Sequence, residues 1–74
     1  MIFPLTYEEH HLLAQKGISF DPAHNYSTDE ALALLDAVRA AENSYAQFYN
    51  CDEETLFFRY GDLADRLFAL IGED

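Results

Sequence analysis

Seventy-four residues make one domain, near the lower size limit for a fold held by a single hydrophobic core. Half of them are apolar and 15% aromatic, more than a disordered chain carries. Fourteen acids against four bases (Lys16, Arg39, Arg59, Arg66) give a formal charge of −10, which argues against direct binding of DNA or RNA and against docking on an anionic membrane surface.

The same balance is compatible with a basic protein partner, although solubility accounts for it equally well. Cys51 is the single cysteine, so no disulfide can form within the chain, as suits a reducing cytoplasm. The first residues lack a basic segment and reach Glu8 and Glu9 too soon for a signal peptide. No apolar run approaches the roughly 20 residues that a membrane span requires. A cytoplasmic protein is expected.

In chain order, Ile2 to Leu5 reads as an apolar arm, with Pro4 biasing Phe3 toward an extended conformation. Thr6 and Glu9 form a capping box that opens a first helix. This helix carries Leu12 and Leu13 to Lys16, and Gly17 supplies a left-handed stop. From Ile18 to Tyr26 the pattern is irregular, and Ile18 and Phe20 are its candidates for burial. Asp21-Pro22 and Asn25-Tyr26-Ser27 are turn and cap material.

The central helix is predicted from Ser27 to near Asn50. Ser27 and Glu30 form a second capping box. Ala31, Leu34, Val38, Ala41, Tyr45 and Phe48 recur at steps of three and four, so they share one helical face. A short turn over Asn50, Cys51 and Asp52 leads to a closing helix. Leu56, Tyr60, Leu63, Leu67 and Leu70 form its stripe, widened by Phe57, Ala64, Phe68 and Ile71. Gly61 interrupts that stripe and either marks close approach of a neighbouring helix or breaks the segment in two. Asp62 and Arg66 read as an i,i+4 ion pair.

The fold expected is all-α: an antiparallel bundle of three helices, or four if Gly61 breaks the last. The N-terminal arm and the Ile18–Tyr26 connector cover its ends. The core expected is Leu12, Leu13, Ile18, Phe20, Leu34, Val38, Ala41, Tyr45, Phe48, Leu56, Tyr60, Leu63, Ala64, Leu67 and Ile71.

Few residue patterns suggest chemistry. Glu8-x-x-His11 has the spacing of a di-iron carboxylate–histidine pair, but such sites need two pairs and further carboxylates. His10 and His24 do not complete the set, so surface or boundary histidines and no metal are expected. Cys51 sits near a helix start, which favours a thiolate, but Asp52, Glu53 and Glu54 oppose it. No phosphate-binding glycine loop, zinc-spaced Cys/His set or Ser-His-Asp order is present. Neither catalysis nor a cofactor is expected.

Two apolar residues fall outside the stripes. Leu32 lies away from the Leu34–Val38–Tyr45 face, and Phe58 lies nearly opposite Tyr60, ringed by Glu54, Asp62 and Asp65. An aromatic among carboxylates is how a binding anchor for a basic partner looks. The alternative is that the arm at Ile2-Phe3 folds back over Phe58. The function expected is a small acidic protein–protein interaction module, binding a basic partner or a second copy of itself. The alternative is an acidic mimic of nucleic acid that occupies the basic groove of a DNA-binding protein.

Overall fold

The computed structural model describes residues 1–47 and 50–72, which form three helices with no strand among them: α1 (Tyr7–Gln15), α2 (Thr28–Ser44) and α3 (Cys51–Gly72). None is long and apolar enough to cross a membrane.

Both capping boxes form. Thr6 Oγ1 accepts from the Glu9 backbone N–H at 3.2 Å, and Glu9 Oε1 accepts from the Thr6 N–H at 2.8 Å. Ser27 and Glu30 repeat the exchange at 3.2 and 3.1 Å at the start of α2. Each box satisfies donors that a first turn leaves without partners. The exit of α1 is a Schellman motif: Gly17 N–H donates to Ala14 O and Ile18 N–H to Leu13 O, both at 3.0 Å. Gly17 has φ +68°, a region that a β-carbon disfavours.

The central helix is shorter than its apolar periodicity predicts, ending at Ser44 rather than near Asn50. The local cause is legible. Ser44 Oγ donates to Ala41 O at 2.6 Å, competing for a helical acceptor, and Tyr45 N–H tightens onto Glu42 O at 3.0 Å. Leaving the helix lets the Tyr45 ring stack on Tyr60, with centroids 5.8 Å apart. Phe48, expected in the core, lies outside the described residues.

Asn50 caps α3, its Oδ1 accepting from the Glu53 N–H at 2.9 Å. The helix then runs without interruption through Gly61, so it does not divide there. A β-carbon at Gly61 would stand 2.7 Å from Glu42 Oε2, so glycine is what lets the Glu42 side chain of α2 lie against α3.

The buried core joins Leu12 and Leu13 of α1, Ala31, Leu34, Leu35, Val38 and Ala41 of α2, and Tyr60, Leu63, Ala64 and Leu67 of α3. Ile18, Phe20, Tyr45, Leu56 and Ile71, expected inside, pack at its edge and stay half-buried. Leu35 is about 40° around the helix from Ala31 and about 60° from Val38, so it belongs to their face. The arm contributes a core residue of its own. Phe3 is only 2% exposed, with ring contacts to Tyr26 at 5.7 Å and Phe20 at 6.4 Å. The α-amino group of Met1 donates to Asn25 Oδ1 and Tyr26 O, and Tyr26 N–H returns a bond to Met1 O at 2.7 Å. The arm therefore docks on the connector before α2.

Candidate partner-binding surface

The surface is set by where the four bases go. Lys16, just past α1, donates from Nζ to Ser44 Oγ at 3.2 Å and lies 4.2 Å from the Tyr45 ring centroid. Arg39 of α2 divides its guanidinium between Glu42 Oε1 at 3.3 Å and Asp65 Oδ1 of α3 at 3.2 Å. Arg59 of α3 pairs with Glu8 of α1. Arg66 reaches Glu9 Oε2 at 3.3 Å and donates to Pro4 O at 2.7 Å. The predicted Asp62–Arg66 pair is thus replaced by a tie from α3 to α1 and the arm.

Arg59 and Arg66 share the α1-facing side of α3, about two turns apart, because their spacing of seven residues returns close to the same angle. Between them and α1 lies a cleft of about 220 Å³ lined by Thr6, Glu8, Glu9, Leu12, Asp62 and Leu63. Its arginines already face Glu8 and Glu9, so its cations are answered from within, while Asp62 has no ion-pair partner among the described residues. Each such surface pair is worth about 0–1 kcal/mol. Their larger effect is on the outside, where no base of the chain is left without an internal contact.

The outward side of α3 is different. Phe58 is 57% exposed, and its only ring neighbour among the described residues is Phe57, edge-on at 5.6 Å. It stands about 160° around the helix from buried Tyr60. Glu54 and Asp62 lie one turn to either side of Phe58, each about 6 Å along the axis. Asp65 is on the same face but shares Oδ1 with Arg39. The arm does not reach Phe58, because Phe3 is spent on Phe20 and Tyr26. The structure thus brings Phe58, Glu54, Asp62 and Asp65 onto one helical face, while Leu32, 44% exposed, is on α2.

Phe68 departs from expectation. Counted with the apolar stripe of α3, it is 64% exposed. It sits about 100° from Leu67, at the stripe's margin. The signal that finds it is its angular distance from the stripe's centre.

Among the described residues, no group of three or more His, Cys, Asp and Glu is placed to hold a metal ion. Glu8 faces Arg59, and His10 packs its ring on Phe20 at 5.1 Å. His24 Nε2 pairs with Glu30 Oε2 at 2.9 Å and meets Tyr26 edge-on. Cys51 is exposed at the first residue of α3, followed by three acids. Two shallow depressions along α2 are lined by Ile18 and the small side chains of Ala33, Ala37, Ala40 and Ala41.

No family model, curated protein or solved structure matches the chain.

Proposed function

We propose that this chain is a small non-catalytic interaction module of the cytoplasm that presents a helical surface to a basic protein. One observation carries the reading: Lys16, Arg39, Arg59 and Arg66 are all engaged within the chain, leaving carboxylates and large apolar side chains to face outward. A surface of that kind is complementary to cations that another molecule supplies.

Sequential helices run antiparallel on this reading. Supporting it, Tyr45 meets Tyr60 and Arg39 meets Asp65, so residue numbers rise along α3 as they fall along α2. That arrangement puts Leu32 level with the end of α3, roughly 20 Å along the axis from Phe58. Leu32 then serves a contact separate from that of Phe58, Glu54, Asp62 and Asp65.

A nucleic-acid mimic is less well supported. One DNA strand carries a phosphate about every 3.4 Å. On the outward face of α3, Glu54 and Asp62 are about 12 Å apart with Phe58 between them. Affinity capture from native cell extract, washed at about 50 mM and then about 0.5 M salt, separates the two readings. A partner held partly by apolar contact stays bound at high salt. Complete release, with DNA-binding proteins in the eluate, would establish the mimic.

A further inference from the structure

We propose that the Phe58 face of α3 docks a cationic amphipathic helix in which an apolar residue is bracketed, one turn to either side, by lysine or arginine. The inference rests on the interaction reading above and names its site and the class of its occupant.

Phe58 points away from both neighbouring helices. Arg59 and Arg66 mark the side of α3 that faces α1, and Gly61 marks the side that faces α2, through Glu42; Asp65, on Phe58's own face, is met by the long Arg39 side chain reaching across from α2. Phe58 is on neither contact side, so α1 and α2 leave it more than half exposed. On its two flanks, the Glu54 and Asp62 carboxylates have no partner among the described residues. An apolar centre between two unneutralised carboxylates calls for the converse pattern in its occupant.

A second copy does not supply that pattern. Its four bases are committed to Ser44, Glu42, Asp65, Glu8, Glu9 and Pro4 of its own chain. Pairing two such faces about a two-fold axis sets Glu54 and Asp62 of one copy against the same residues of the other. Each copy also carries a formal charge of −10.

Spacing and backbone chemistry favour a helix. The two carboxylates are about 12 Å apart along α3, which matches cations four residues before and after an apolar residue on a facing helix. An extended segment can space cations similarly, but α3 offers it no sheet edge. Its backbone donors and acceptors then gain nothing from the face, whereas a helix satisfies its own.

The test uses a synthetic alanine-based helical peptide of about twenty residues, with leucine flanked at four-residue spacing by lysine. A control peptide carries glutamate in place of lysine, and a second carries serine in place of leucine. Affinity is measured by calorimetry against the full chain, Phe58→Ser, and the double variant Glu54→Gln/Asp62→Asn. Melting curves confirm that both variants are folded, as expected where Phe58 and Asp62 are exposed and Glu54→Gln keeps the size of a half-buried side chain. The lysine–leucine peptide should bind the full chain and lose about tenfold or more on Phe58→Ser, as for a central aromatic anchor. The double variant should lose about threefold to tenfold near 50 mM salt, and the loss should fade near 0.5 M as screening removes it. The glutamate peptide should not bind.

Equal binding to the full chain and Phe58→Ser overturns the proposal, since charge density then suffices. Absence of binding overturns it too. A dimer in sedimentation equilibrium that Phe58→Ser dissociates overturns it in favour of a second copy. Cell-extract capture separates this failure from that of the broader reading. A partner retained at high salt by both the full chain and Phe58→Ser leaves the interaction module standing and removes only this face.

Discussion

Tyr60 is fully buried, yet its hydroxyl is not wasted. It donates to Leu12 O at 2.7 Å, a carbonyl near the end of α1, where the Lys16 N–H turns to Leu13 O instead. A helix end has carbonyls without helical partners, and α3 supplies one from its own core stripe. Tyr60→Phe leaves that carbonyl unpaired and should cost about 1–3 kcal/mol in urea unfolding. Burial, and then the neighbouring Tyr45, raise the Tyr60 pKa above its ordinary value of 10.0. The folded state therefore holds this proton more tightly than the unfolded chain. The stability it contributes is complete below about pH 10 and is lost as pH rises through the raised value. The alkaline fall in melting temperature should be steeper for the native chain than for Tyr60→Phe. Phe3 makes a second residue-scale case. Phe3→Ala should cost about 3–5 kcal/mol, as for other buried aromatics. Ile2→Ala, next to it and exposed, should stay within about 0.5 kcal/mol. Equal losses at the two positions in urea titrations would show that the arm is not docked through Phe3.

At the scale of elements, the start of α2 combines local and longer contacts. Glu30 Oε1 accepts from the Ser27 N–H, while Oε2 holds His24 Nε2, so one carboxylate closes the cap and ties the connector to it. The Ser27 backbone bond first, then His24 and the Ser27 side chain, hold the Glu30 pKa below its ordinary value of 4.5. A lowered folded-state pKa means that the stability is fully present above about pH 4.5 and is lost as pH falls through the lower value. The melting temperature should therefore fall between about pH 5 and 3, and less so in Glu30→Gln, which has no charge there to lose. Ser27→Ala should cost about 0.5–2 kcal/mol at neutral pH, because the side-chain acceptor for Glu30 N–H is gone. Thermal melts of both variants across that range check the assignment.

For the whole molecule, ten surplus negative charges remain after the bases are counted against the acids. Self-repulsion of such a charge destabilises the compact state, and salt screens it over a Debye length of about 10 Å at 0.1 M. The four cationic ties across the bundle are weakened by the same screening, but each is worth little at the surface. The melting temperature should therefore rise between about 20 mM and 0.5 M sodium chloride. A fall would mean that the ties of Arg39, Arg59 and Arg66 outweigh the surplus repulsion.

Local chemistry was legible in the chain itself. Thr6/Glu9 and Ser27/Glu30 form capping boxes and Gly17 a left-handed exit because each rests on backbone bonds within a few residues. Nine of the expected core residues, from Leu12 to Leu67, are buried because helical periodicity alone assigns their face. The angle of Phe58 to Tyr60 also puts it outside the stripe, but only the docking of Phe3 on Phe20 and Tyr26 leaves it uncovered. Tertiary structure decided the rest. Helix α2 stops at Ser44 and Tyr45 stacks on Tyr60, and periodicity that continues past Ser44 gives no sign of that contact. Phe3 is buried by Phe20 and Tyr26, which lie 17 and 23 residues away in sequence and belong to no shared pattern with it. Arg66 leaves Asp62 for Glu9 and Pro4, and Arg39 reaches Asp65, because side chains from other elements come within their range. Net charge could be counted from composition, but only the packed helices determine that each of its few cations is engaged within the chain.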